Sequence, residues 1–229
     1  MEIRFINRVE VLRNFCSRYR YIPLYIFGPE GCGKTRLLKE FVKRFNRLLE
    51  NLLEIFYGEP GMILNLDALS KSLRIHKKTL EWHMFLLEFA KLITIIKNFR
   101  ASILSESRKL RKIYPYDVSL VFPFNPNMEE SRVVECAVAS KINTQNYWGE
   151  GGREVDFIIR NRRIIPVEVK YKKTLDKNDI KNLVYFIEKF KVGFEVIIYN
   201  GETGKINPQI KAINLLDFIF LPTSKTITL

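Results

Sequence analysis

The amino-acid sequence predicts an α/β protein in three units: a truncated P-loop fragment over residues 1–50, a winged helix-turn-helix over 51–115, and a further α/β domain over 116–229. Three observations predict this order. Residues 28–35 read GPEGCGKT. Residues 65–90 carry leucines at helical spacing, broken by one short polar turn and followed by an apolar strand. Residues 153–173 alternate as two strands that carry acidic side chains.

The first unit rests on the pattern G-x-x-x-x-G-K-[ST], complete at residues 28–35. The apolar run LYIF at 24–27 precedes it and a helical stretch, RLLKEFVKRFNRLLEN, follows. Strand, glycine loop and helix form a phosphate cradle. Gly28, Gly31 and Gly33 let the backbone curl, so that its N–H groups and the helix N-terminus face an anion. Lys34 would reach the β- and γ-phosphates of ATP and Thr35 would ligate its Mg²⁺. One strand and one helix cannot bury their own apolar faces. Val9, Leu12, Phe15, Leu37, Leu38 and Phe41 therefore need the rest of the chain, a protein partner or self-association.

In the second unit a short helix ends near Gly58. A helix over about 65–72 sets Leu66, Leu69 and Leu73 on one side, and one over about 76–90 buries Leu80, Met84, Leu87 and Phe85. The strand LITIIKNF follows. Short helices and a strand pair describe a winged helix-turn-helix. The third helix opens on basic and polar residues, and the span 71–112 holds eleven Lys and Arg against three Glu. Arg74, Lys77 and Lys78 are the expected nucleic-acid contacts, made to phosphate rather than to base. Trp82 and His83 are expected in the core or at its rim.

In the third unit a helix over 129–142 turns Val134, Ala137 and Val138 inward with Glu135 set among them. A hairpin follows, with its turn near Arg162. In EVDFIIR, Val155, Phe157 and Ile159 take one face and Asp156 and Ile158 the other; in PVEVK, Glu168 and Lys170 share a face. That turn sets Asp156 opposite Glu168, and two carboxylates then meet one lysine, with Glu135 approaching from the helix. Oxygen ligands of this kind suit Mg²⁺ or Mn²⁺ rather than zinc. The same residues would also serve as a surface ion-pair cluster. An amphipathic helix over 176–193, stopped by Gly193, a strand FEVIIYN and a last helix in KAINLLDFIFL complete the unit.

Composition bounds the function. The 229 residues are 47% hydrophobic and carry a formal charge of +13, so an anionic partner, DNA before membrane, is expected. Cys16, Cys32 and Cys136 form no C-x-x-C pair, and only His76 and His83 could act as imidazole ligands. There is no signal-peptide pattern, and the apolar runs are shorter than the roughly 20 residues of a spanning helix. A cytoplasmic protein is expected.

The N-terminal motifs FINRVEVL and YIFGPEGCGKT resemble the archaeal P-loop ATPases of the STAND/AAA+ type. In that family a second strand, four apolar residues and then an acid, follows the P-loop, and the acid holds Mg²⁺ through water. Residues 36–52 supply one helix and no such strand, and Asp217 and Glu202 stand in other contexts, so ATP hydrolysis is expected to be very slow or absent. The spacing D-x11-E-x-K, set by Asp156, Glu168 and Lys170, resembles the PD-(D/E)xK nuclease fold, although Val167 and Pro166 replace the proline-aspartate pair. That resemblance implies that Asp156 and Glu168 bind one or two Mg²⁺ ions, with Lys170 and Glu135 as further catalytic residues. The order of Trp148, EVDF and EVK is similar to the C-terminal domain of the same ATPases. A shortened ATPase-family protein that binds DNA and cuts it with Mg²⁺ is the leading expectation. A nucleotide- or DNA-binding module without either activity is the alternative.

Overall fold

The computed structural model describes residues 47–100, 110–142, 144–160 and 163–221. The expected P-loop and its flanking strand lie outside the described residues, as do Cys16 and Cys32.

Helix α1 (Arg47–Gly58) buries Leu52, Leu53, Phe56 and Tyr57, a spacing that makes one apolar stripe. Each such side chain contributes about 1.5–3 kcal/mol on leaving water. The Tyr57 hydroxyl donates to the Leu92 carbonyl at 2.6 Å, which satisfies its buried oxygen. A two-residue strand β1 (Ile63–Leu64) leads to α2 (Leu66–Ser72), whose first amides donate to the side chain of its N-cap, Asn65. The turn after α2 is made by Arg74 in the left-handed region at φ 54°. Helix α3 (Lys77–Phe89) then buries Leu80, His83, Met84 and Leu87. Phe85 is expected inside but stands 50% exposed, stacked between Trp82 and Phe89 on the outer side of the helix. Three residues after Trp82 and one turn before Phe89, it falls on their stripe rather than on that of Leu80 and Leu87.

Strands β2 (Ile93–Asn98) and β3 (Arg111–Pro115) pair antiparallel, with β1 beside β3. Alternation along β2 divides the layers. Ile93 and Ile95 pack with α1 and α3, while Ile96 turns to the other side of the sheet.

After a 3₁₀ turn at Val118–Leu120, helix α4 (Glu130–Ile142) buries Cys136, Val138, Ala139 and Ile142. Ala137 is only half-buried, one position off the stripe expected for it. Strands β4 (Asn146–Glu150) and β5 (Arg153–Arg160) form a hairpin closed by Gly151 and Gly152, both at positive φ (57° and 76°). Two consecutive left-handed residues match the strand twist, and glycine adopts them without strain. Strand β6 (Ile164–Lys170) pairs antiparallel with β5. Arg160 opposes Ile164, which centres the connection on residue 162 as expected, although residues 161 and 162 lie outside the described residues.

Helix α5 (Lys177–Phe190) starts with a capping box between Asp176 and Asp179 and ends at Lys191, which takes the left-handed position instead of Gly193. Strand β7 (Glu195–Tyr199) runs parallel to β6, and β8 (Gly204–Lys205) and β9 (Ile210–Asn214) follow. Residues 211–214 are expected in the last helix but belong to β9, beside β7; the helix α6 (Leu215–Phe220) begins only at the Asn214 cap.

All nine described strands make one sheet, in the order β1-β3-β2-β4-β5-β6-β7-β9-β8. The seam between residues 51–115 and 116–221 is the parallel pair β2–β4. There the Asn98 side chain donates to the Gly149 carbonyl at 2.8 Å and accepts from the Gly149 amide at 3.2 Å. One cluster, with α4 and α6, covers one face; two others, with α1–α3 and with α5, cover the opposite face. Among the described residues no helix is long and apolar enough to cross a membrane.

Candidate acid site on strands β5 and β6

A β-bulge positions Asp156. Along β4 the pairing moves two residues, from Asn146 to Trp148, while along β5 it moves three, from Ile158 to Val155. The extra residue lies at Asp156–Phe157. Strict alternation, which puts Val155 with Phe157 and Ile159, is broken there. Val155 and Ile158 both join the cluster under α5, whereas Phe157 and Ile159 join the one under α4. Bulges re-aim a side chain in this way.

The Asp156 side chain then takes the place of a ladder bond. The last paired residues of β5 and β6 are Phe157 and Val167, and one step beyond them stand Asp156 and Glu168. Asp156 Oδ2 accepts from the Val169 amide at 2.9 Å. Glu168 is 3% exposed; its Oε1 accepts from Lys170 Nζ at 2.6 Å, while its buried Oε2 has no hydrogen-bond partner among the described residues. The i, i+2 spacing does place Glu168 and Lys170 side by side.

Two residues that the sequence reading missed enter from β3. Lys112 is 3% exposed and donates to Glu154 Oε1 at 2.6 Å, and its Nζ lies 3.8 Å from Glu135 Oε1. The Tyr114 hydroxyl donates to Glu135 Oε1 at 2.5 Å. Glu135 is thus held on the α4 side of the sheet by a tyrosine from beyond the seam, whereas Glu168 and Lys170 point to the α5 side.

The electrostatics are those of crowded acids. Burial pushes the Asp156 carboxyl well above its ordinary range, and the neighbouring Glu168 and Glu135 push it further. Burial likewise raises Glu168, against the opposing pull of Lys170. Burial works to lower Lys112, but Asp156, Glu135 and Glu154 outweigh it and hold the ammonium above its usual value. Lys170 is raised on balance in the same way, by Glu168 and Asp156. Glu195, at the start of β7, is fully buried, and neither of its oxygens has a hydrogen-bond partner among the described residues; burial, and then Glu168, push its carboxyl up to about 9.

The acids divide over the sheet: Glu135 and Glu154 stand with Lys112 on the α4 side, Glu168 stands with Lys170 on the α5 side beside Ile197, and Asp156 lies at the bulge between them. The unbonded Glu168 Oε2 and the all-oxygen donor set fit Mg²⁺ or Mn²⁺, which bind through one or two carboxylates and keep several waters. Among the described residues no group of three or more His, Cys, Asp or Glu side chains is placed to hold a metal ion.

The expected nucleic-acid contacts lie elsewhere. Arg74 and Lys78 are exposed at the α2–α3 turn and the start of α3. Lys77 forms an exposed ion pair with Asp67 at 2.8 Å. Gly28, Gly31, Gly33, Lys34 and Thr35 fall outside the described residues.

The fold defines an α/β protein whose single described sheet joins a helical N-terminal part to a C-terminal acid cluster. A family described as an ATPase domain predominantly from Archaea matches residues 5–123, more than half of the chain, and the chain belongs to that family. A domain of unknown function, DUF4143, matches residues 128–218. No curated protein matches the chain. No solved structure matches it.

Proposed function

We propose that this archaeal-type ATPase-family protein binds DNA and carries a Mg²⁺- or Mn²⁺-dependent nuclease site at Asp156, Glu168, Lys170 and Glu135. The observation that carries the reading is the bulge that turns Asp156 beside Glu168, with Lys170 on the neighbouring position and Glu168 Oε2 unbonded. A cation bound by Asp156 and Glu168 would stabilise charge on a scissile phosphate. Lys170 orients Glu168 and supplies a positive charge for a phosphate or an attacking water. Glu135 supplies a further carboxylate from α4. Arg74, Lys77 and Lys78 contact the DNA backbone in a winged-helix manner, supported by their exposure around the α2–α3 turn.

The P-loop residues Lys34 and Thr35 bind ATP with Mg²⁺, supported by family membership. Hydrolysis is slow, because no acid follows the loop in the required context. ATP turnover near the ~1–10³ s⁻¹ of ordinary enzymes, lost on Lys34→Ala, would contradict this part. A second reading, an interaction module without cleavage, is favoured by the closed Lys170–Glu168 ion pair at 2.6 Å. Incubation of the full chain with single-stranded, duplex and branched DNA, with and without Mg²⁺ or Mn²⁺, separates the two. Cation-dependent cutting supports the nuclease reading, and intact DNA in every arm supports the module.

A further inference from the structure

We propose that the outer face of α3 is a stacking platform for single-stranded DNA, on which Trp82, Phe85 and Phe89 receive bases while Lys78 and Lys91 hold the strand's phosphates. This inference rests on the DNA-binding reading above and names the form of DNA that α3 takes.

The sequence puts three large rings on the side of the helix that its core does not use. Leu80, Met84 and Leu87 supply the buried stripe of α3. Trp82, Phe85 and Phe89 follow the i, i+3, i+7 spacing of a second stripe and stand 51%, 50% and 38% exposed. The rings are ordered against one another. Trp82 and Phe85 stack with centroids 5.5 Å apart and planes at 28°, and Phe85 and Phe89 with centroids 6.0 Å apart and planes at 27°. At a rise of ~1.5 Å per residue the row runs about 10 Å along the helix. A contiguous apolar patch of this kind marks a binding surface, where single scattered apolar residues would not.

The charges around the row select the ligand. Lys78 lies one turn before Trp82 on the same stripe and is exposed, as is Arg74 at the turn before α3. Lys91, exposed and two residues past Phe89, sets its Nζ 5.1 Å from the ring centre of Tyr116, itself 40% exposed. Of the acids of α3, Glu81 is half-buried and Glu88 turns back to accept from the Ile95 amide at 3.2 Å. The row is thus bounded by a lysine at either end. Protein interfaces are depleted of lysine around their apolar anchors, so a polyanion with flat apolar faces matches this surface better than a protein does. Duplex DNA offers phosphates to the lysines but keeps its bases stacked on one another, and the rings would face a hydrated backbone. A single strand offers both, and any base can stack on an aromatic ring. The formal charge of +13 favours the same partner.

The two tryptophans make the test specific, because Trp148 is fully buried and Trp82 is not. The full chain is titrated in EDTA, so that no strand is cut, with a labelled oligothymidylate and with a labelled duplex of the same length. Anisotropy reads affinity and intrinsic fluorescence reads Trp82. Wild type binds the single strand more tightly than the duplex, and the single strand quenches tryptophan emission. Trp82→Phe keeps most of the affinity and loses the quench. Trp82→Ala and Phe85→Ala each weaken the single strand about 5-fold or more and leave the duplex unchanged. The salt slope stays at the wild-type value in both, since stacking releases no counterions. Unchanged single-strand affinity in both alanine variants, equal losses on the two DNA forms, no quench, or a duplex bound as tightly as the single strand overturns the inference and leaves the DNA-binding reading standing. So does self-association that Phe85→Ala abolishes without altering single-strand affinity, which would give the row to a second copy of the chain. Failure of wild type to bind either form of DNA overturns the DNA-binding reading and this inference with it.

Discussion

Asp156 Oδ2 accepts a hydrogen bond from the Val169 amide at 2.9 Å, across the point where strands β5 and β6 stop pairing. The side chain does for β6 what a backbone carbonyl does elsewhere in the ladder. It also fixes one acid beside another, Glu168, in a setting where burial and like charge oppose ionisation of both.

The first prediction follows from that repulsion. Asp156→Asn keeps an oxygen for the Val169 amide and removes a charge that Glu168 and Glu135 disfavour. Without divalent cation, the variant should be more stable than wild type by about 1 kcal/mol, which in a protein of this size raises the melting temperature by roughly 2–4 °C. A melting scan in EDTA checks it, and a lower midpoint would show that Asp156 stabilises the fold.

Glu195 gives a pH dependence. Its carboxyl titrates near 9 in the fold because of burial, but near the ordinary carboxylate value when unfolded. Between those values the native state holds a proton that the unfolded state has lost. Stability contributed by Glu195 is therefore full at low pH and lost as pH rises toward 9, by at most about 1.4 kcal/mol per pH unit. Urea unfolding at pH 5 to 9 should show a falling wild-type stability relative to Glu195→Gln. Parallel curves for the two proteins would contradict the assignment.

Gly61→Ala should destabilise the protein by about 1–2 kcal/mol, the cost of a Cβ in the left-handed region. The added methyl would also press on the Tyr114 ring at 3.1 Å. At Gly58 an added Cβ would meet nothing within 4 Å, and φ there is not positive, so alanine should be tolerated. Gly58→Ala is the matched control in the same denaturation experiment.

DNA affinity should fall steeply with salt, each neutralised phosphate adding about 0.9 to the slope of log K against log[salt]. Lys78→Ala should lower that slope by about 1. Asp67→Asn should raise affinity, because it releases Lys77 from its ion pair. Fluorescence anisotropy across a salt series reads both effects, and an unchanged slope in Lys78→Ala would remove α3 from the interface.

Much of the fold was legible because local chemistry specified it. Leucine spacing gave α2, and the apolar stripe of Leu80, Met84 and Leu87 gave α3. The i, i+2 relation of Glu168 and Lys170, and the turn near residue 162, gave half of the acid cluster. The Gly151–Gly152 pair was a hairpin signal present in the sequence but not used. The bulge at Asp156 was not legible, since one inserted residue leaves no compositional mark. Lys112 and Tyr114 were hidden for a different reason. Their approach depends on the parallel pairing of β2 with β4, a long-range contact that no local pattern encodes. Strand β9 was misread because KAINLLDFIFL spreads its apolar residues at spacings that suit a strand and a helix alike.

The central claim is that the acids on β5 and β6 form a cation-dependent nuclease site, and DNA cleavage by wild type and Asp156→Ala side by side tests it most directly. The account predicts cutting by wild type that requires Mg²⁺ or Mn²⁺ and stops in EDTA, and no cutting by Asp156→Ala, with DNA binding unchanged in both. No cutting by wild type under any divalent cation, or equal cutting by Asp156→Ala, would contradict it.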